Sequence, residues 1–269
     1  MFRFLSLTAL VAMKKFSALF LYCIPLLLAG HLGAAENRKP VVTLLVCEEG
    51  DESHYLAYQL MPPFLTELGK ENNWEVVVLS SKKFAEFPRV EILNRTDVLV
   101  VYVRSIGLPK EQMRLVKQYV KESGKGLIAL RTASHGFAPT SLPEGCEDWK
   151  EFDREVLGGN YDNHGHNDIG SEIWNVKDLE QSPIMAGVNP SVWHSDGSVY
   201  YTAPVADDAT IYQYAASSEK GRMPLTWTRM YGKTRVAYTG LGHKNDLEVP
   251  AFRALLRNLV HWAAETQNP

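Results

Sequence analysis

The stretch Gly158-Gly159-Asn160-Tyr161-Asp162-Asn163-His164-Gly165-His166-Asn167-Asp168 concentrates more chemistry than any other part of this chain. Two histidines at i and i+2 stand among glycines, amides and acids, a composition that forms neither a packed helix nor a buried strand. In an extended backbone both imidazoles point to the same side, where they could share one metal ion or one substrate. The competing reading is a solvated loop with incidental histidines, and this segment alone leaves the two evenly matched. Three further groups add to it. Arg131-Thr132-Ala133-Ser134-His135-Gly136-Phe137 follows an apolar run, and His135 there is a candidate base, acid or metal ligand. The alternative is a histidine that caps its loop by hydrogen bonds. Thr239-Gly240-Leu241-Gly242-His243 follows a second run, with glycines that admit a close backbone approach. Its bland reading is a glycine turn with a solvent-exposed histidine. Arg104 and Arg131 stand where buried strands end, so each needs a partner. That partner is either an acid such as Glu48, Glu49 or Asp51, or a substrate oxygen.

His135, His164, His166 and His243 could therefore converge on one pocket. Imidazole suits zinc, nickel, copper or iron, and three ligands with an open position are catalytic geometry. The metal set is His164, His166 and His243, with zinc or a similar divalent ion as cofactor. The spacings match no established zinc signature. The turn after Arg131 has no Cys, and Ser134 beside His135 is not a Gly-x-Ser-x-Gly elbow. His261 reads as structural.

The elements that must position these groups follow from periodicity. Val41–Cys47 is a continuous apolar run, as in a strand covered on both faces. A helix over His54–Lys70, interrupted by Pro62-Pro63, leads to strands Trp74–Leu79 and Asp97–Val103. Pro109 opens a helix whose Met113, Val116, Tyr119 and Val120 recur at helical spacing, and Gly124 closes it. Gly126–Arg131 is a fourth buried strand. This alternation predicts a doubly wound, mostly parallel sheet with helices on both faces, and ligands in such sheets bind beyond the carboxyl ends of strands. Trp149–Leu157 reads as a short helix. Ile173–Val176, Val199–Thr202 and Thr210–Tyr214 read as shorter strands. Leu225–Arg229 and Arg235–Thr239 flank a hairpin turn at Tyr231-Gly232-Lys233. An amphipathic helix covers Val249–Ala264.

The 269 residues are 45% hydrophobic and 22% charged with net charge -3, ordinary for one globular domain. No basic cluster supports nucleic-acid binding. Lys14-Lys15, the apolar Phe16–Leu28 and Gly33-Ala34-Ala35 read as a cleavable leader over residues 1–35, with Met13 as an alternative start. An uncleaved anchor is the other reading, and Tyr22 before Cys23 argues against a lipoprotein site. Residues 36–269 then form one domain, periplasmic or secreted, without stable membrane association. Cys47 and Cys146 make no disulfide framework. Homo-oligomerisation stays open.

Val98–Tyr102, Gly124–Arg131 with His135, Gly158-Gly159 with the His-rich loop, Pro224–Arg229, Tyr231-Gly232-Lys233, Arg235-Val236, Tyr238-Thr239, Leu241-Gly242-His243 and the Phe252…Trp262 helix together resemble the ThuA-like family, named for trehalose utilisation. The resemblance spans Val41 to Ala264, and His54 falls where the family tends to carry a histidine. It implies a class I glutamine amidotransferase-like (flavodoxin-like, three-layer) fold without amidotransferase activity, in agreement with the missing Cys. It also implies sugar catabolism, notably of disaccharides oxidised to 3-keto derivatives. Many relatives carry His where this chain has Arg131, and a leader departs from a cytoplasmic pathway. Three functions follow as expectations. The first is an enzyme acting on keto-sugars or keto-glycosides, with His135 or His54 as base. Glu48, Arg104, Arg131, Asn160 and Arg229 would then contact the substrate, and His164, His166 and His243 would be metal ligands or enolate stabilisers. The second is a non-catalytic carbohydrate-binding protein in which Tyr161, Trp193, Tyr200 and Trp227 stack on sugar rings, although all four serve equally well in a core. The third is a metal-dependent glycoside hydrolase.

Overall fold

The structure is a computed structural model that describes residues 38–48 and 55–265. The expected leader and His54 lie outside the described residues.

The strands are β1 (Val41–Cys47), β2 (Glu75–Ser81), β3 (Val98–Tyr102), β4 (Gly126–Leu130), β5 (Ser171–Asn175), β6 (Val192–Ser195), β7 (Thr210–Ala216), β8 (Met223–Tyr231) and β9 (Thr234–Thr239). They form one nine-stranded sheet in the order β2-β1-β3-β4-β9-β8-β7-β5-β6. The first five strands in that order pair in parallel. The remainder extend the sheet in antiparallel fashion, beginning with the β8–β9 hairpin. The chain order reverses at β1 and β3, the switch point beyond which doubly wound sheets bind ligands.

Helices α1 (Ala57–Glu71) and α3 (Pro250–Ala264) cover one face and α2 (Lys110–Glu122) the other. Every residue of β1, β3 and β4 is buried in consequence, which is why these strands are apolar without alternation. Helix α2 buries Met113, Val116, Tyr119 and Val120, as its spacing requires.

Two expectations change. Helix α1 begins at Ala57 and runs through Pro62 and Pro63 instead of breaking there. The prolines leave the carbonyls of Tyr58 and Gln59 without helical donors, but neither residue is buried, so water can serve them. Met61, Phe64, Leu65 and Leu68 hold the helix on the sheet. Residues Trp149–Leu157 form no regular α-helix but a single wide turn over Asp153–Leu157. Strand β6 was not legible: it is four residues long, lies at the sheet edge and alternates exposed and buried positions. No disulfide joins Cys47 and Cys146. Among the described residues, no helix is long and apolar enough to cross a membrane.

At the centre of the β8–β9 pair, Trp227 is fully buried, lies 4.4 Å from the Tyr238 ring and donates Nε1–H to Leu157 O at 2.7 Å. Trp227→Ala removes that packing and leaves a carbonyl without its donor. We expect a loss of about 3–5 kcal/mol in urea-denaturation stability.

Candidate functional site

The site grows from the carboxyl end of β4. Five buried residues deliver the chain to Arg131, whose φ of 44° is left-handed, and a tight turn over Arg131–His135 follows. Such a backbone is strained for a side chain of this size. Surrounding bonds hold it: Tyr238 and Ser134 hydroxyls both donate to Arg131 O, at 3.1 and 3.2 Å, and Thr132 donates to Val103 O at 2.9 Å.

The Arg131 side chain points inward and is buried. Its Nη1 donates to Gly240 O at 2.6 Å, and its Nη2 donates to Tyr55 Oη at 3.1 Å and to the Ser198 carbonyl and hydroxyl at 3.2 Å. The guanidinium lies between two rings, 4.5 Å from Tyr55 and 4.6 Å from Tyr200. Gly197 makes room for it, since a Cβ there would stand 2.8 Å from Nη1. Among the described residues no carboxylate forms an ion pair with Arg131. Burial opposes its charge, but the oxygens of Tyr200, Tyr55 and Tyr102 outweigh that cost and raise its pKa. Among the described residues no acid pairs with Arg131, and its Nη1 and Nη2 bond the protein's own oxygens; Glu49 and Asp51 lie outside the described residues.

His135 sits at the mouth beside this sandwich. Its ring stacks on Tyr161 at 4.5 Å and 21°, and lies 6.0 Å from Tyr200. Its Nδ1 is 3.2 Å from Ser134 Oγ. Burial, reinforced by the charges of Arg104, His164 and Arg131, lowers its pKa to about 3, so the imidazole is neutral at ordinary pH. Arg104 is exposed at the end of β3, and His135 and Tyr161 both feel its charge.

The Gly-rich loop reaches the same mouth through a two-residue antiparallel ladder, in which His164 pairs with Tyr200 and Asn163 with Tyr201. The His164 ring lies 5.7 Å from Tyr200. Its Nδ1 is 2.7 Å from Gly165 O, and a carbonyl only accepts, so Nδ1 carries the proton. His166 goes elsewhere. Its ring is exposed beside Asp168, and its N–H donates to Glu219 at 2.8 Å, across an open polar cleft that also takes in Asn167 and Tyr201.

His243 meets the cluster edge-on to Tyr55 at 6.0 Å. It is buried rather than solvent-exposed: its Nδ1 accepts Asn245 N–H, and Asp246 accepts the N–H groups of Gly242 and His243. Burial lowers its pKa as well. His135, His164 and His243 thus surround the Arg131–Tyr55–Tyr200 sandwich. They do not form a ligand set: among the described residues, no three His, Cys, Asp or Glu side chains stand together as a metal site needs. The expected trio of His164, His166 and His243 does not fit a shared ion as placed.

Three other candidates bond partners outside this cluster. Glu48 accepts from Ser80 at 3.0 Å, toward β2. Asn160 ties its loop to Thr202 O and Ala203 O. Arg229 pairs with Asp208 at 3.1 Å and donates to Glu155 O. Of the four aromatics, Tyr161 and Tyr200 line the site while Trp193 and Trp227 belong to the core. Gly158 and Gly159 serve a turn around buried Asp153: Gly158 is left-handed at φ 71°, and a Cβ on Gly159 would stand 2.5 Å from Asp153 Oδ1. Asp153 Oδ2 accepts the Tyr161 N–H at 2.7 Å, which holds the Tyr161 ring over His135. Burial raises the Asp153 carboxyl pKa to about 6. Tyr55, Gly197 and Ser198 carry no motif and were missed, and Tyr238 stood in the Tyr238-Thr239 motif without a role at the site. The only available signal was Tyr55 following His54.

Two outcomes follow. Arg131→Met leaves the Gly240 and Ser198 carbonyls without donors and should cost about 1–3 kcal/mol for each, read by chemical denaturation. His135 has a folded pKa of about 3 against an ordinary 6.5. Its contribution is therefore fully present above pH 6.5 and is lost as pH falls toward 3. His135→Gln should flatten the stability profile in that window, and NMR titration should find the wild-type ring neutral at pH 5.

Comparison with known proteins identifies the lineage. A search of curated proteins finds no match. Among solved structures, a ThuA-like protein from Bacteroides uniformis ATCC 8492 is 16% identical, with 85% of this chain covering 93% of that one at a TM-score of 0.63. A ThuA-like protein from Parabacteroides merdae ATCC 43184 is 17% identical, with 86% and 93% covered at 0.57. A beta-galactosidase from Bacillus circulans sp. alkalophilus shares the fold over 83% of this chain but only 31% of its own, at 15% identity and 0.52. At such identities the likeness speaks for the fold, and it agrees with the flavodoxin-like, amidotransferase-like sheet. The model of the family described as ThuA, trehalose utilisation, matches residues 44–263, and this chain belongs to that family.

Proposed function

We propose that this protein is an enzyme of carbohydrate catabolism that removes a proton from the carbon next to a ketone in an oxidised glycoside. The observation that carries the reading is His135. It is a neutral imidazole at the carboxyl ends of the strands, stacked on Tyr161 and ringed by Arg104, Arg131 and His164. Its lone pair is therefore free at working pH; the negative charge that forms on the substrate oxygen beside it would raise its low proton affinity, and cationic neighbours favour that oxygen.

His135 takes the C–H proton, and the C–H electron pair forms a carbon–carbon double bond as the ketone becomes an enolate. When the carbonyl re-forms, the bond to the glycosidic oxygen on the next carbon breaks, and that oxygen leaves with a proton as an alcohol. The sum is an elimination. Reprotonation without that loss would be an isomerisation. The His164 Nε2 lone pair accepts, so His164 suits a substrate hydroxyl rather than the enolate. Arg131 acts by its charge, because four hydrogen bonds tie its Nη1 and Nη2 to the protein. His54 is the alternative base. The donor set holds no metal as placed, and no step passes through one. The leader reading puts this reaction outside the cytoplasm.

The test presents the purified protein with a 3-keto-glycoside and with the unoxidised disaccharide, following product by NMR. Turnover of the keto-glycoside alone is expected, and His135→Gln should lower kcat by about 100-fold or more. Equal turnover of the plain disaccharide overturns the reading in favour of a hydrolase. Saturable sugar binding without any turnover overturns it in favour of a binding protein.

A further inference from the structure

The strained turn after β4 gathers two hydroxyls and one imidazole around a single carbonyl. Arg131 O lies 3.2 Å from Ser134 Oγ and 3.1 Å from Tyr238 Oη. A carbonyl has two lone pairs and no proton, so both hydroxyls can donate to it at once. The same Ser134 Oγ is 3.2 Å from His135 Nδ1. Ser134 has one proton and Arg131 O can only accept, so both contacts of Ser134 Oγ are hydrogen bonds when that proton goes to Arg131 O. With its proton committed to Arg131 O, the oxygen offers that nitrogen only a lone pair. Nδ1 must then be the donor.

We infer that Ser134 is a positioning residue that holds His135 as its Nδ1–H tautomer and so leaves the Nε2 lone pair to act as the base. The catalytic meaning of this inference rests on the proposed role of His135, whereas the tautomer itself does not. The geometry is unusual for neighbours in sequence. Adjacent side chains in a strand or an α-helix diverge, but the tight turn over Arg131–His135 folds Ser134 back under the ring that follows it. Tyr238 keeps the arrangement in place. It is fully buried against Trp227, and its own proton serves the second lone pair of Arg131 O. The tautomer is also the one that free histidine in water disfavours, so it leaves a distinct signature. Tyr161 stacks on His135, the Tyr200 ring is tilted 6.0 Å away, and among the described residues the hydrogen bond of the His135 ring is the one at Nδ1. This arrangement reserves Nε2 for an incoming proton.

The experiment is nitrogen-15 and carbon-13 NMR of the full protein labelled at histidine, without substrate. The His135 signals are assigned by their loss in His135→Gln. The wild type should show Nδ1 as the protonated nitrogen and Nε2 as the bare one at neutral pH. Ser134→Ala should shift the population toward Nε2–H and lower kcat by roughly tenfold with KM unchanged. Ser134→Thr, which keeps the hydroxyl, should restore both. A wild-type spectrum with Nε2 protonated overturns the inference, as does an unchanged tautomer in Ser134→Ala. If Ser134→Ala does not fold, the wild-type spectrum alone decides. A confirmed tautomer in a protein whose His135→Gln variant keeps full turnover would sink the proposed base while leaving this inference standing.

Discussion

A buried guanidinium between two tyrosine rings organises the functional end of this protein. An unpaired charge in an apolar interior is expensive, so Arg131 can remain there only if its surroundings supply oxygens and π-faces in fixed places. Those partners come from distant parts of the chain: Tyr55 ahead of α1, Ser198 and Tyr200 in the long excursion between β4 and β9, and Gly240 just after β9. One side chain therefore ties four segments together at the carboxyl ends of the parallel strands. Tyr200 then carries the ladder that places His164, and Tyr55 carries the edge contact that places His243.

The same residue explains where reactive groups stand. The left-handed turn at Arg131 occupies the strand-end position where related folds set a nucleophile. Here its side chain turns into the interior, and the next group able to reach the mouth is His135, at the end of the turn. Arg131 also helps keep that imidazole neutral, adding its charge to the larger effect of burial. Structural anchoring and tuning of the site are thus one interaction.

Buried carboxylates around the site do a different job. Asp153 grips the Tyr161 N–H, and Asp246 grips the N–H groups of Gly242 and His243 while accepting from Ser195. Each converts a glycine-containing loop into a defined shape. Gly159 is the clearance Asp153 requires and Gly158 the clearance for Arg229, whereas Gly240 faces Leu225 and Gly242 the Tyr102 ring. Residues that read as ligands in sequence are in part the scaffolding of the loops that carry them.

The sequence alone determined the elements that obey a period. Val41–Cys47, Lys110–Glu122 and the Tyr231-Gly232-Lys233 hairpin are legible because local burial and turn chemistry dictate them. It also marked His135, since a polar group directly after a buried strand has few places to go. Tertiary structure decided the rest. The i, i+2 spacing of His164 and His166 suggested a shared ligand, but pairing with Tyr200 draws one ring to the mouth, while Glu219 and Asp168 keep the other outside. Arg229 lies in a recognisable motif yet answers to Asp208. Tyr55 and Ser198 leave no local trace, because their role is to hydrogen-bond a side chain 76 and 67 residues away along the chain, and Gly197 because it only clears room for that side chain. Local pattern records what each segment buries, and only the folded chain shows which distant oxygens a buried charge will find.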